Sequence, residues 1–156
     1  MDFEKVLEFF RALHDEGVEY VLVGAVGLTV HGIVRATQDV DVFVRPVDEN
    51  VRRLRAALRR VFPGDSSIDE ISAEDLAGEY PAIRYNSPDG SLTIDIIARL
   101  GEAFAFENVR SEMKTYEGVS ILVATPKTLY DMKKGTLRLQ DRADAESLKE
   151  EFDLGD

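Results

Sequence analysis

The stretch from Tyr20 to Arg45 constrains this chain more than any other. It reads as an apolar strand over 19–23, a glycine at 24 and a short helix over 26–31 that Gly32 stops. A loop over 33–38 and a valine-rich strand over 39–45 follow, and Pro46 breaks that strand. Side chains alternate along a strand, so Asp39 and Asp41 project from one face about 7 Å apart. Buried without compensation, each would cost several kcal/mol, and their mutual repulsion would force one to keep a proton. This face asks for a positive partner.

The rest of the chain supplies the framework. Asp2 can cap a helix over 3–15, where Val6, Phe9, Phe10 and Leu13 recur at helical spacing. A second long helix starts at Asp48 or Asn50 and reaches about Val61, with Val51, Leu54 and Leu58 inward. Residues 63–67 carry turn chemistry, and 68–79 suggest a short strand and one helical turn from Ala73. Residues 82–85 and 92–98 form a hairpin around Asn86-Ser-Pro-Asp-Gly90, and 109–116 and 119–124 a second around Glu117-Gly118. Thr125 caps a helix with Pro126 in its first turn and Leu129, Tyr130 and Met132 inward, ending near Gly135. The last helix begins at Gln140 or Asp141 and runs to about Phe152, with Ala143, Leu148 and Phe152 as core contacts and a frayed tail over 153–156. With no repeat or linker, 1–156 reads as a single domain.

Bulk properties narrow the function classes. A net charge of -11 argues against broad affinity for nucleic acid, which rests on basic surface. Arg52, Arg53, Arg55, Arg59 and Arg60 make one basic helix face; it offers a place for RNA, although a solvated face is the commoner explanation. The absence of cysteine removes thiolate chemistry and cysteine-held zinc. The start, Met-Asp-Phe-Glu-Lys, lacks the basic region of a signal peptide, and no apolar run approaches the roughly 18 residues of a membrane span. A cytoplasmic protein with no membrane partner is the expectation.

A third carboxylate joins the first two. In the second arm of the first hairpin, Asp95 shares a face with Ile97, between the apolar neighbours Ile94 and Ile96. If its strand lies near 39–45, three carboxylates converge, and Mg2+ or Mn2+ resolves the conflict, because hard cations pair carboxylates with substrate phosphates. Gly24 supplies the other half: a strand turning tightly into a helix presents free backbone N–H groups and a positive helix end to phosphate. Each element has a bland reading. Asp39 could cap a turn, Asp95 could pair with Arg84 or Arg99, and Gly24 could only permit a turn. The ordered combination favours a site.

Gly24-Ala25, His31-Gly32, Arg35, Thr37, Asp39 and Asp41 at this spacing resemble the signature of the nucleotidyltransferase superfamily, the fold of DNA polymerase β. The stretch from Pro126 through Lys133, Arg138, Asp141 and Asp144 is similar to the closing helices of the branch that includes AbiEii-type toxins. The resemblance implies an α+β fold, a mixed β-sheet flanked by helices with C-terminal helices closing the site. It implies Asp39 and Asp41 as metal ligands and Asp95 as the third carboxylate, helping to deprotonate an acceptor hydroxyl. Gly24 and the Ala25 amide would hold triphosphate, Lys133 would contact it, and Asp144 or Asp141 would support that lysine. For Arg35 and Thr37, contact with nucleotide and orientation of the acidic strand both stay open. His31 reads as a packed structural residue. Two positions depart from the pattern: Ala25 stands where glycine or serine is usual, and Gln140 where a cation is usual.

The expected activity is Mg2+-dependent transfer of a nucleoside monophosphate from an NTP to a hydroxyl of RNA, notably a tRNA end, or of protein. A cognate antitoxin would then be a partner. The alternative is a catalytically weak or inactive module that binds nucleotide or a partner.

Overall fold

Asp2 opens the first helix as expected, its carboxylate accepting from the backbone N–H groups of Glu4 at 3.0 Å and Lys5 at 3.4 Å. The computed structural model describes residues 1–134, 136 and 138–154. In chain order these are α1 (Phe3–Asp15), β1 (Tyr20–Val23), α2 (Gly24–Val30), β2 (Val40–Val44) and α3 (Asp48–Val61). A 3-10 turn (Ser66–Glu70), α4 (Ala73–Leu76), β3 (Ala82–Asn86), β4 (Thr93–Ile97), β5 (Arg99–Leu100) and β6 (Phe104–Ala105) come next. A second 3-10 turn (Phe106–Asn108), β7 (Ser111–Tyr116), β8 (Val119–Ala124), α5 (Pro126–Lys133) and α6 (Leu139–Phe152) complete the order. No helix among the described residues is long and apolar enough to cross a membrane.

Six strands form one mixed sheet in the order β3-β4-β2-β1-β8-β7. The two hairpins, β3-β4 and β7-β8, are antiparallel, as is β1 with β2; β2 runs parallel to β4 and β1 parallel to β8. Alternation splits the central strands between two apolar layers. Tyr20, Leu22, Val40, Val42, Val44, Ile94 and Ile96 pack with Phe9, Phe10 and Leu13 of α1 and Leu54 and Leu58 of α3. Val21, Val23, Phe43 and Ile97 face the opposite way, toward Leu28 of α2, Leu129 and Tyr130 of α5, and Ala145 and Leu148 of α6. Asp39, Asp41 and Asp95 share the parity of this second face.

Several boundaries differ from expectation. The helix α2 starts at Gly24, two residues early, because Gly24 takes a positive φ of 71° that turns the chain straight out of β1. The strand β2 starts at Val40, which leaves Asp39 at its threshold. Residues 66–70 form a 3-10 turn rather than a strand, with the Asp65 carboxylate accepting from the N–H of Ser67. Neither Asp48 nor Asn50 caps α3; the cap position is Val47, which makes no side-chain bond. The Asn50 amide instead accepts from the N–H of Glu19 at 2.7 Å and donates to the carbonyls of Glu19 and Arg45 at 2.9 Å each, tying α3 to the ends of β1 and β2. In α6 it is Asp144, Ala145 and Leu148 that are buried, while Ala143 is exposed. The expected helix stop at Gly135, and Gly155 and Asp156 of the tail, lie outside the described residues.

Candidate active site

Register builds the site. Val23 pairs with Asp41 across β1 and β2, Asp41 with Asp95 across β2 and β4, and Asp95 with Arg84 across β4 and β3. Paired residues of adjacent strands point to the same face, so one row crosses four strands as apolar, acid, acid, base. Asp39 enters the row from the threshold of β2. The Arg84 guanidinium closes it: Nε donates to Asp95 Oδ1 at 2.9 Å, and Nη2 donates to Asp95 Oδ2 at 3.2 Å and Asp39 Oδ2 at 3.4 Å. The fork raises the pKa of Arg84, first through its hydrogen bond to Asp95 and then through the charges of Asp95 and Asp39.

Asp41 carries the cost of this crowding. Burial pushes its carboxyl up to about 7, helped by the charge and hydrogen bond of Asp95 and by the charge of Asp39, against the pull of Lys133. Near neutral pH the Asp41 carboxyl is therefore partly protonated.

The backbone of α2 meets the same point. Asp41 lies against Gly24 so closely that a Cβ at position 24 would stand 2.1 Å from Asp41 Oδ2. The first N–H groups of a helix have no partner inside it, and Val23 at the cap position supplies none from its side chain. Ala25, the next residue, is buried in regular helix; the left-handed backbone falls on Gly24 alone, so alanine at 25 does not restrict the turn.

A basic wall stands opposite. Lys133, at the end of α5, donates to Asp144 Oδ2 at 2.9 Å and Asp141 Oδ1 at 3.3 Å. Asp141 lies below the usual carboxylate range: burial opposes this, but Lys133, Thr136 and Arg138 outweigh it. Asp144 is buried and also accepts from Gln140 at 3.3 Å. Arg35 Nε stands 2.9 Å from Asp144 Oδ1, an ion pair without hydrogen-bond alignment. Thr37 Oγ1 donates to the carbonyl of Asp39 at 3.1 Å, which bends the loop into β2.

These groups surround a cleft of about 600 Å³. Gly24, Ala25, Arg35, Thr37, Asp39, Asp41, Asp95 and Lys133 all line it; Asp144 does not, and sits behind Lys133 and Arg35 as their shared counter-ion. Arg84, Arg138 and Asp141 line it as well. Arg84 had been visible only as a partner for Asp95, yet the hairpin spacing of Asn86 opposite Thr93 places 84 opposite 95 by count alone. Beyond Asp41 and Lys133 the cleft continues into a hollow of about 330 Å³ whose apolar wall is Ile97, Leu100, Leu129 and Met132.

Three carboxylates converging on one cleft are hard oxygen donors of the kind a divalent cation prefers. Among the described residues no group of three or more His, Asp or Glu side chains is already drawn into metal-holding geometry, and Arg84 bridges two of the three aspartates. His31 is buried away from the cleft, its Nε2 2.8 Å from the Ala124 carbonyl and its ring edge-on to Phe152 at 5.7 Å. The helix α3 packs on the far side of the sheet through its apolar face, and the arginines of its basic face are engaged. Arg52 and Arg53 meet Glu49, Arg55 the Ile71 carbonyl, Arg59 Asp69, and Arg60 Asp15 and Glu16.

No family model and no curated protein matches the chain. Solved structures do. A candidate nucleotidyltransferase of Thermotoga maritima superposes with a TM-score of 0.58 at 16% identity, covering 98% of this chain and 96% of that one. An antigenic nucleotidyltransferase-like protein of Paracoccidioides brasiliensis gives 0.57 at 16% identity, covering 92% of this chain and 74% of that one. At such identity a likeness establishes architecture, and this chain has the mixed α+β fold of these nucleotidyltransferase-type structures.

Proposed function

We propose that the chain transfers a nucleoside monophosphate from an NTP to an acceptor hydroxyl, with Mg2+ or Mn2+ held by Asp39, Asp41 and Asp95. The observation that carries this reading is the convergence of those carboxylates beside the first turn of α2 and opposite Lys133. When bound, the cation supplies charge neutralisation for the carboxylates and the substrate phosphates.

The chain's own groups have separate tasks. The first N–H groups of α2 and the Lys133 ammonium hold the β- and γ-phosphates, while Asp144 keeps Lys133 and Arg35 aimed at the cleft. Asp95 accepts the acceptor's hydroxyl proton. The acceptor oxygen bonds to the α-phosphorus, the bond to the β-phosphate oxygen breaks, and pyrophosphate leaves toward Lys133. The apolar hollow beside Asp41 suits an apolar part of the nucleotide or of the acceptor.

The finer reading follows the branch resemblance: an AbiEii-like toxin acting in the cytoplasm on a tRNA end or a protein hydroxyl, restrained by an antitoxin. The engaged arginines of α3 give the RNA acceptor no added support, so both acceptors enter the test. Labelled NTPs, Mg2+, tRNA and cell extract are incubated with the wild type and with an Asp39→Ala, Asp41→Ala double variant. Label transfer that disappears in the variant supports the enzyme, and equal transfer by both removes it.

One observation favours the non-catalytic alternative: Arg84 already occupies oxygens of Asp39 and Asp95. Calorimetry with NTP and Mg2+ discriminates, since binding without turnover over many acceptors is the behaviour of a nucleotide-binding module.

A further inference from the structure

We infer that Arg84 is a displaceable internal counter-ion: it holds Asp39 and Asp95 when the cleft is free of cation, and a divalent cation must push it aside to bind. The inference rests on the metal reading above and concerns how that site is kept and loaded.

Three observations support it. First, Arg84 engages both oxygens of Asp95 and one of Asp39, so it competes for the donors that the cation would use. A guanidinium and a dication cannot share these oxygens at contact distance without strong repulsion. Second, Arg84 differs from the other cations of the cleft in its freedom to leave. Its side chain is 58% exposed, whereas that of Lys133 is 12% exposed and locked between Asp141 and Asp144. On leaving, the guanidinium returns to water, which offsets part of its bidentate contact with the less exposed Asp95. Arg138 is also exposed, and among the described residues its ion pair is with Asp141, at 3.7 Å, away from Asp39 and Asp95. Third, there is somewhere to go. Arg84 stands on β3, the edge strand of the sheet, and forms part of the wall between the cleft and a neighbouring hollow of about 260 Å³ whose other walls include Glu70 and Asn86.

The arrangement has a functional consequence. A cation arriving alone must displace Arg84 without recompense, whereas one arriving with a triphosphate brings anionic charge with it. Free cation should therefore bind weakly and the nucleotide-borne cation well.

The test measures Mn2+ binding to the full-length protein without nucleotide, by calorimetry and by loss of the free-ion paramagnetic resonance signal. The wild type, Arg84→Gln and Arg138→Gln are compared, with circular dichroism to verify folding. Arg84→Gln is expected to bind Mn2+ about tenfold tighter than the wild type, and Arg138→Gln within about threefold. Equal tightening in both variants reduces the effect to general charge and overturns the inference, as does no tightening in Arg84→Gln. If Mn2+ binds the wild type and Arg84→Gln equally, only the inference falls; if it binds neither, the metal reading falls with it.

Discussion

Gly24 and Asp41 are in contact through a backbone position where no side chain fits: a Cβ on residue 24 would lie 2.1 Å from Asp41 Oδ2. The glycine serves two purposes there. Its positive φ of 71° turns β1 into α2, and its missing side chain lets the Asp41 carboxylate lie against the helix start.

Gly24→Ala should therefore fail on both counts. The left-handed backbone alone costs an alanine about 1–2 kcal/mol, and the clash must be relieved by moving Asp41 out of the row. The expected outcome is an unfolding free energy, read from urea melts, lowered by at least that amount, and a loss of Mn2+ and NTP binding well beyond what partial unfolding explains. Gly32, also at positive φ but with nothing near its missing side chain, is the control. Gly32→Ala should lose stability and keep binding.

Asp41 makes a pH prediction with a definite sign. Its folded pKa is raised, from 3.8 to about 7, chiefly by burial and then by Asp95. A raised carboxyl favours folding while both states are protonated, below about pH 4. That advantage is lost as pH rises through 7, because the unfolded chain ionises freely and the folded one cannot. Asp41→Asn removes the titration. It should be more stable than the wild type by roughly 2–4 kcal/mol at pH 8 and by little at pH 4. Denaturant melts at the two pH values check it, and a gap independent of pH would contradict the assignment. Added Mn2+ should narrow the gap at pH 8 by stabilising only the wild type.

Lys133 tests the basic wall. It is nearly buried between Asp141 and Asp144, and Asp144 is more buried still. Removing one partner of a buried pair leaves an uncompensated charge, typically at about 3–5 kcal/mol. Lys133→Met should approach that loss, softened by Gln140 and Arg35, which also face Asp144. Adding Asp144→Asn should restore part of the stability without restoring triphosphate binding. Urea unfolding measures the first half and calorimetry with NTP the second.

How much of this was legible in the chain depends on the range of the interaction. Alternation alone puts Asp39 and Asp41 on one face and Asp95 on the face of Ile97, since strand parity is local. That β2 and β4 lie side by side, with 41 opposite 95, is a long-range pairing that periodicity cannot state; resemblance implied Asp95 as the third carboxylate but not this register. Arg84 was within reach, because a hairpin closes by counting from its turn. Asn50 was misread as a cap because a polar residue at a helix start usually is one, whereas its amide here ties α3 to two separate strands. In α6 the buried side shows a weak apolar stripe. The buried Asp144 belongs to it because Lys133 and Arg35 meet it there, and this turns Ala145 inward in place of the expected Ala143.

The departure at position 25 has a different meaning once the turn is known. Ala25 sits in regular helix, and its carbonyl accepts from Thr29 Oγ1 at 3.3 Å. Its N–H lies in the first turn, where a phosphate would use it, and alanine presents that group as well as serine does. What alanine lacks is a hydroxyl at the wall of the cleft. Ala25→Ser adds one atom at a position only 6% exposed but on the wall of the open cleft, where the hydroxyl can meet water, so the fold should tolerate it, with a melting temperature within about 3 °C of the wild type. One added neutral hydrogen bond, worth about 0.5–1.5 kcal/mol, should tighten NTP binding by roughly two- to tenfold. Calorimetry of NTP binding to the two proteins reads this directly. Unchanged or weaker binding in Ala25→Ser, with the fold intact, would mean that the phosphates do not lie against the start of α2.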